Sequence, residues 1–292
     1  MANRLKTVLA LGYFDSVHIG HRKVIETAFS VAQNAAVTVF TFKGNLKAEL
    51  FGKNEKYVYG AKEREEILRQ AGVENVWFAP VTKEFLSTDK DEFLRFVAEK
   101  FDVSCFVCGK DYRFGKGGAG NAYDVKKFAE SRGVGAIIVD DVISDGEKVS
   151  TSRIKTLLAA GDIEAANELL GRNFSATGRV VAGRKEGRIL GFPTANIETD
   201  PQKQYVKKGV YRGRAQIDGK EYKAVINYGE KPTFGIDTPS LEAYIIGYAG
   251  DAYGKEITVS FDGFLRETAK FSGEKELSER IKKDVEITEK LS

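Results

Sequence analysis

Gly12-Tyr13-Phe14-Asp15-Ser16-Val17-His18-Ile19-Gly20-His21 stands between the short apolar run 7–11 and a stretch in which Val24, Ile25, Ala28, Phe29 and Ala32 recur at helical spacing. A continuous apolar run giving way to a 3.6-residue period marks a strand handing over to a helix. Both of the chain's 2 histidines lie in this handover. A helix start carries unpaired backbone N–H groups and the positive end of the helix dipole, so it is a ready site for an anion. Imidazole N–H groups there add donors aimed at a phosphate. For either histidine alone, a purely structural role is the competing reading.

Working outward, the apolar runs 36–42, 76–79, 104–108 and 136–139 alternate with periodic stretches at 21–34, 62–70, 91–101 and 124–131. This alternation predicts an α/β fold, a parallel sheet with helices on its faces. Ligands of such sheets bind beyond the carboxyl ends of the strands, where His18, His21 and the 109–120 loop should meet. Helical patterns at 152–159 and 163–170, joined by Gly161-Asp162, read as a connector packed on the first domain. From Phe174 the pattern changes to strand-like runs at 174–181, 209–217, 222–227, 241–248 and 256–261, with the hairpin signal Asp218-Gly219 and a helical pattern only at 274–290. The second half is therefore expected to be an antiparallel barrel or closed sandwich with a terminal helix. The expected domains are 1–171 and 172–292.

The length of 292 residues suits two domains, and a net charge of +3 neither requires nor forbids a polyanionic partner. No basic-aromatic stripe supports nucleic-acid binding. No segment has the roughly 20 apolar residues of a membrane helix. Arg4 and Lys6 before an apolar run mimic a leader, but the run continues into the Asp15/His18/His21 cluster, which favours a cytoplasmic protein. Cys105 and Cys108 have a C-x-x-C spacing that allows redox or zinc chemistry. Within a β-rich run, however, residues three apart face opposite sides, so buried core thiols are the better reading.

Further candidates follow from chemistry. Gly12 permits close backbone approach to a nucleotide, and Gly20 lets a helix start lie near phosphate oxygens. Asp111 and Arg113 lie in Gly109-Lys110-Asp111-Tyr112-Arg113-Phe114-Gly115, and Ser150, Thr151, Ser152 and Lys155 open a helix whose hydroxyls can hold phosphate or simply cap it. The 115–120 loop reads as a flexible connector. Arg64 can reach a phosphate or lie on a solvated helix face. In Gly187-Arg188-Ile189-Leu190-Gly191-Phe192-Pro193-Thr194-Ala195-Asn196, Pro193 fixes the backbone before a Thr-x-Asn pair sharing one face. The Thr194 hydroxyl and Asn196 carbonyl are hard ligands suited to Mg²⁺ when ATP supplies other oxygens, although a hydrogen-bonded turn would use the same residues. No Gly-x-x-x-x-Gly-Lys-[Ser/Thr] occurs, so a P-loop is excluded.

The first stretch resembles the nucleotide-binding signature of the nucleotidyltransferase superfamily that includes class I tRNA synthetases. The 109–115 and 149–155 segments look like later motifs of its flavin adenylyltransferase branch. Gly191-Phe192-Pro193-Thr194-Ala195-Asn196 resembles riboflavin kinases, with agreement at Gly209-Val210-Tyr211, Asn227-Tyr228-Gly229, Pro232-Thr233-Phe234, Leu241-Glu242-Ala243-Tyr244, Tyr253-Gly254-Lys255 and Phe264-Leu265-Arg266. Over nearly its full length the chain thus resembles the bacterial bifunctional riboflavin kinase/FMN adenylyltransferases. The resemblance implies a Rossmann-like nucleotidyltransferase domain, a barrel kinase domain, and riboflavin, FMN and ATP as small-molecule partners, with Mg²⁺. It implies catalytic roles for His18 and His21 on the triphosphate and for Glu242 as base, although Glu242 taken alone reads as an exposed strand carboxylate. Nucleotide or cofactor contacts are implied for Gly12, Phe14, Asp15, Gly20, Asp111, Arg113, Ser150, Thr151, Ser152, Lys155, Gly191, Pro193, Thr194, Asn196 and Arg266, with Thr194 and Asn196 on the metal. Departures are Ser16 for a glycine, Lys155 for an arginine, Lys43-Gly44-Asn45-Leu46 for Pro-His-Pro, and Gly247 for an aspartate. Alternatives are a riboflavin kinase with an altered transferase domain and a non-catalytic flavin-binding regulator.

Overall fold

A computed structural model describes residues 6–51, 55–183, 191–230, 239–269 and 271–291. By its internal contacts the chain divides into the units Met1–Thr151 and Ser152–Ser292.

In the first unit, β1 (Thr7–Leu11), β2 (Ala36–Lys43), β3 (Asn75–Pro80), β4 (Val103–Gly109) and β7 (Gly135–Val139) form one sheet in the order β3-β2-β1-β4-β7. Every pairing in it is parallel. The chain builds outward from β1 to β3, then returns to the other side of β1 to add β4. The order therefore reverses beside β1, and the crevice of such a sheet opens beyond the strand ends at that point.

The five residues of β1 are all buried, and their alternation divides them between two cores. Val8 and Ala10 pack with Val24, Ile25 and Ala28 of α1 (Ile19–Ala32). Leu9 and Leu11 pack on the other face with Phe93, Leu94 and Val97 of α5 (Lys90–Phe101) and Ala122 and Val125 of α6 (Ala122–Arg132). Burying each of the larger side chains among these contributes about 1.5–3 kcal/mol, which fixes the position of β1. Phe29, expected on the buried face of α1, is 39% exposed and lies at its margin. The thiols face opposite ways as expected: Cys108 joins the Leu9/Leu11 core, and the half-buried Cys105 lies against the other. Burial, aided by Asp111, pushes the Cys108 thiol up to about 12.

The expected flexible 115–120 connector is instead an ordered hairpin between β5 (Arg113–Phe114) and β6 (Gly120–Asn121). A second small hairpin pairs β8 (Ile143–Ser144) with β9 (Glu147–Lys148).

The second unit holds a closed antiparallel barrel, in the order β10-β11-β14-β13-β12-β15. Its strands are β10 (Phe174–Val181), β11 (Thr194–Ile197), β12 (Gly209–Ile217), β13 (Lys220–Glu230), β14 (Pro239–Ile245) and β15 (Glu256–Arg266). Asp218 and Gly219 take φ values of 53° and 73°, the left-handed pair that a two-residue hairpin demands. Strand β14 ends before the expected 248, because the backbone turns through Gly247 (φ 77°) and Tyr248 N–H closes onto the Ile245 carbonyl. The connector helices α7 (Thr151–Ala160) and α8 (Ile163–Leu170) fall, apart from Thr151, in this unit. Their grouping has a local cause: Asn167 Nδ2 donates to the Phe261 carbonyl at 2.9 Å, and its Oδ1 accepts from Phe174 N–H at 2.7 Å. The C-terminal helix Glu274–Lys290 lies where the pattern placed it.

Candidate functional site

The first site begins where β1 ends. Gly12 N–H donates to the Phe40 carbonyl at 3.2 Å, and a Cβ on Gly12 would lie 2.8 Å from the Phe14 ring, so only glycine fits. Two non-glycine residues then take left-handed backbone, Phe14 at φ 51° and Val17 at φ 44°, and both are buried. For a β-branched residue such a φ is strained and persists only where neighbours enforce it. The neighbours here are polar and buried. Asp15 Oδ1 accepts from Val58 N–H at 3.0 Å, and Ser16 Oγ lies 3.0 Å from Thr151 Oγ1. The Ser16 hydroxyl, at a position where the resemblance implied glycine, is thus accommodated by pairing with the first residue of α7.

His18 is the N-cap of α1, its Nδ1 accepting from His21 N–H at 3.1 Å. That nitrogen is therefore unprotonated, and the neutral ring carries its proton on Nε2 as a donor. The rings of His18 and His21 stack at 3.7 Å between centroids, 10° from parallel, and Phe14 meets His21 edge-on at 5.3 Å. Gly20 makes room for this stack, since a Cβ there would stand 3.0 Å from His18 Cε1. The structure thus brings Gly12, Phe14, Asp15, His18, Gly20 and His21 together at the reversal point of the sheet.

Gly109 ends β4, the strand beside β1. Asp111 and Arg113 follow it and are exposed, and Lys148 Nζ joins Asp111 and Asp141 at 2.7 Å each. Ser150 precedes α7, Thr151 begins it, and Ser152 and Lys155 lie on its first turns.

Arg64 overturns both expectations for it, since it neither lies on a solvated face nor is free to reach a phosphate. On α3 (Ala61–Gln70) it is 1% exposed, with Nη1 donating to the Tyr13 carbonyl at 2.9 Å and Nη2 to the Phe42 carbonyl at 2.7 Å. Burial lowers its pKa from the usual arginine value, and the guanidinium stays protonated. The available signal was its spacing from Leu68, four residues on and fully buried on the same helix face. Burial, with the charge of Asp15, pushes the neighbouring Tyr13 phenol up to about 12.

The second site is a matter of strand register. Asn196 of β11 pairs with Glu242 of β14, which pairs on its other side with Asn227 of β13. Directly opposed residues share a sheet face, so a carboxylate stands between two amides. Thr194, two residues before Asn196, points to the same side, paired with Tyr244. The alternate residues Leu241, Ala243 and Ile197 are buried. Asn196 is itself buried, and Gly183 lies so close that a Cβ there would strike its amide. Asn227 was missed as a site residue, because its own stretch does not reveal which strand lies beside it.

Gly191 has φ 83°, and Phe192 packs edge-on against Tyr244 at 5.3 Å, which seats Pro193 at the entry to β11. The Gly187–Leu190 part of the motif and Pro232-Thr233-Phe234 lie outside the described residues. Arg266, expected to contact nucleotide, also has an acidic partner within the protein. Its Nε and Nη2 both reach Asp284 of the terminal helix, at 3.0 and 2.7 Å to Oδ2, and Asp284 is 1% exposed.

A hydroxyl, an amide carbonyl and a nearby carboxylate form an oxygen-only set. Among the described residues no cluster of three or more His, Cys, Asp or Glu could cage a metal ion. Such a set fits a hard ion that takes its remaining ligands from water and a polyphosphate.

Fold and sites together define a two-part, nucleotide-using transferase with no P-loop. A family model described as FAD synthetase matches residues 1–153, and one described as riboflavin kinase matches 170–292. The chain is 33% identical over 287 residues to a bifunctional riboflavin kinase/FMN adenylyltransferase of Bacillus subtilis, covering 96% of this chain and 90% of the relative. With the protein of the same description from Listeria monocytogenes the identity is 32% over 289 residues, covering 97% and 92%. The chain belongs to the bifunctional riboflavin kinase/FMN adenylyltransferase family. A crystal structure described as a macrolide-efflux protein from Streptococcus pneumoniae matches with a TM-score of 0.90 and 28% identity, covering 100% of this chain and 96% of that one. Among the described residues of this chain, no helix is long and apolar enough to cross a membrane.

Proposed function

We propose that this protein makes FAD in two steps, in the cytoplasm. The barrel transfers the γ-phosphoryl group of ATP to the 5′-hydroxyl of riboflavin, giving FMN and ADP. The parallel-sheet unit joins AMP from a second ATP to the FMN phosphate, giving FAD and pyrophosphate. The observation that carries this reading is that one chain holds both constructions, the histidine stack at a helix start and the Asn196-Glu242-Asn227 row.

In the barrel, Glu242 takes the hydroxyl proton as the riboflavin oxygen attacks phosphorus. Alongside ATP, Thr194 and Asn196 would hold Mg²⁺, which would supply positive charge to offset that of the phosphate oxygens. Gly191 and Pro193 shape the backbone that leads into them. In the other unit, Gly12, Phe14, Asp15 and Gly20 form the nucleotide cradle. There the Nε2–H of His18 donates to phosphate oxygen, and His21 stabilises negative charge growing on the departing pyrophosphate. Because stacked rings 3.7 Å apart would repel if both were cationic, the pair acts with at most one positive charge. Asp111, Arg113, Ser150, Thr151, Ser152 and Lys155 complete the contacts to the nucleotides.

Incubation with riboflavin and Mg-ATP, followed by chromatography of the flavins, should yield FMN and then FAD. FMN without FAD would refute the second step, and absence of FMN would refute the first. Chelation of Mg²⁺ should stop FMN formation, and its re-addition should restore it.

A further inference from the structure

Arg64 is a buried cation that the reaction scheme above leaves unused, and its contacts join the nucleotide-binding turn at Tyr13 to the end of β2. Besides the Tyr13 and Phe42 carbonyls, its Nη1 lies 3.2 Å from Thr41 Oγ1. Thr41 in turn donates that hydroxyl to the Tyr13 carbonyl at 2.6 Å. The guanidinium carbon stands 5.1 Å from the Tyr13 ring centre and 5.6 Å from that of Phe78. Three oxygens and two ring faces receive the charge, and its buried Nε has no hydrogen-bond partner among the described residues. Burying a guanidinium whose hydrogen bonds go to neutral acceptors is costly, the Asp15 charge offsets only part of that cost, and an apolar side chain would fill the same space at less expense. Core packing alone therefore does not account for it.

What the contacts do achieve is orientation. The Tyr13 carbonyl receives donors from Arg64 and Thr41 together, which fixes the plane of the Tyr13–Phe14 peptide. The chain has no cis peptide among its described residues, so the Phe14 N–H points opposite to that carbonyl. Phe14 then enters its left-handed conformation, and Asp15 is directed to the Val58 N–H. The conformation that carries the turn to His18 is thus set at Tyr13, and the fork that sets it also grips the end of β2 through Phe42.

We propose that Arg64 is a positioning residue for adenylyl transfer, holding the Tyr13–Phe14 peptide so that the strained turn and the His18/His21 stack are assembled before ATP arrives. The proposal rests on the two-step reading above. Arg64 works through its planar fork, which a lysine ammonium cannot reproduce even though it keeps the charge.

The test uses the full-length protein and measures both reactions on one preparation. Arg64→Lys should lower kcat for FMN-to-FAD conversion by about tenfold or more while leaving riboflavin-to-FMN turnover at the wild-type rate, since it disturbs orientation and not fold. Arg64→Met, which removes fork and charge, should lower it further. Thr41→Val removes a single donor to Tyr13 and keeps the side-chain shape. It should reduce the same kcat several-fold, by about one lost hydrogen bond, with little change in the KM for FMN. Wild-type FMN-to-FAD rates in Arg64→Lys and Thr41→Val would overturn the proposal. So would parallel loss of both activities with a lowered melting temperature, which would mark Arg64 as a fold-stabilising residue only. Failure of the wild-type protein to make FAD would instead strike the two-step reading itself.

Discussion

The two halves of the molecule assemble their chemistry in opposite ways. In the parallel-sheet unit, the reactive side chains stand on an irregular turn between a strand and a helix. That turn keeps its shape because its own Asp15 and Ser16 bond outward to Val58 and Thr151 while Thr41 and Arg64 bond to its Tyr13 carbonyl. In the barrel, Thr194, Asn196, Asn227 and Glu242 stand on regular strands, and their spacing follows from the ladder. A turn needs dedicated buried polar groups to hold a site, whereas a ladder holds one as a by-product of folding. The first kind of site should therefore be sensitive to residues that never touch substrate, and the second mainly to those that do.

Substitutions can break this contrast. Glu242→Gln removes the proposed base without disturbing the ladder. It should lower FMN formation by about 10²–10⁴-fold while FMN-to-FAD conversion in the same sample persists. His21→Ala should do the reverse, lowering FAD formation by about 10²–10³-fold with FMN formation intact. Loss of both reactions in either variant would contradict the separation of the sites. Asp284→Ala strands the Arg266 guanidinium and should cost the barrel about 3 kcal/mol, seen as a lower urea midpoint for loss of kinase activity. Ser16→Ala removes one hydroxyl pair from the turn and should cost about 1 kcal/mol. Its denaturation midpoint should shift slightly, and its FAD-forming rate should fall more than its FMN-forming rate.

The same contrast governs what could be read from the sequence. The strand-to-helix alternation of the first half was legible because each apolar run and each 3.6 period is a local property. The position of His18 at a helix start follows from the same local pattern. Arg64 was legible only in its place on the Leu68 face: a charged residue on a polar-looking helix reads as solvated unless something inside needs a cation, and that need is a tertiary fact. In the second half, the hairpin at Asp218-Gly219 and the terminal helix announced themselves. The short strand Thr194–Ile197 did not stand out as a strand, although the shared face of Thr194 and Asn196 did. Asn227 became visible only with the barrel's register, because a residue's cross-strand partner is not encoded in its own stretch.

The two cysteines offer an internal gauge of how the first unit breathes. Both sit on β4, beside the central strand, and Cys108 is shielded from solvent with a thiol that stays protonated at neutral pH. An alkylating reagent can reach Cys108 only when the sheet opens locally, so its labelling rate reports that opening without any introduced probe. Cys105, half-buried on the opposite face, serves as the internal reference on the same strand. Slower labelling of Cys108 when ATP is added would measure, in seconds or hours, how firmly a ligand at the strand ends closes the core beneath it.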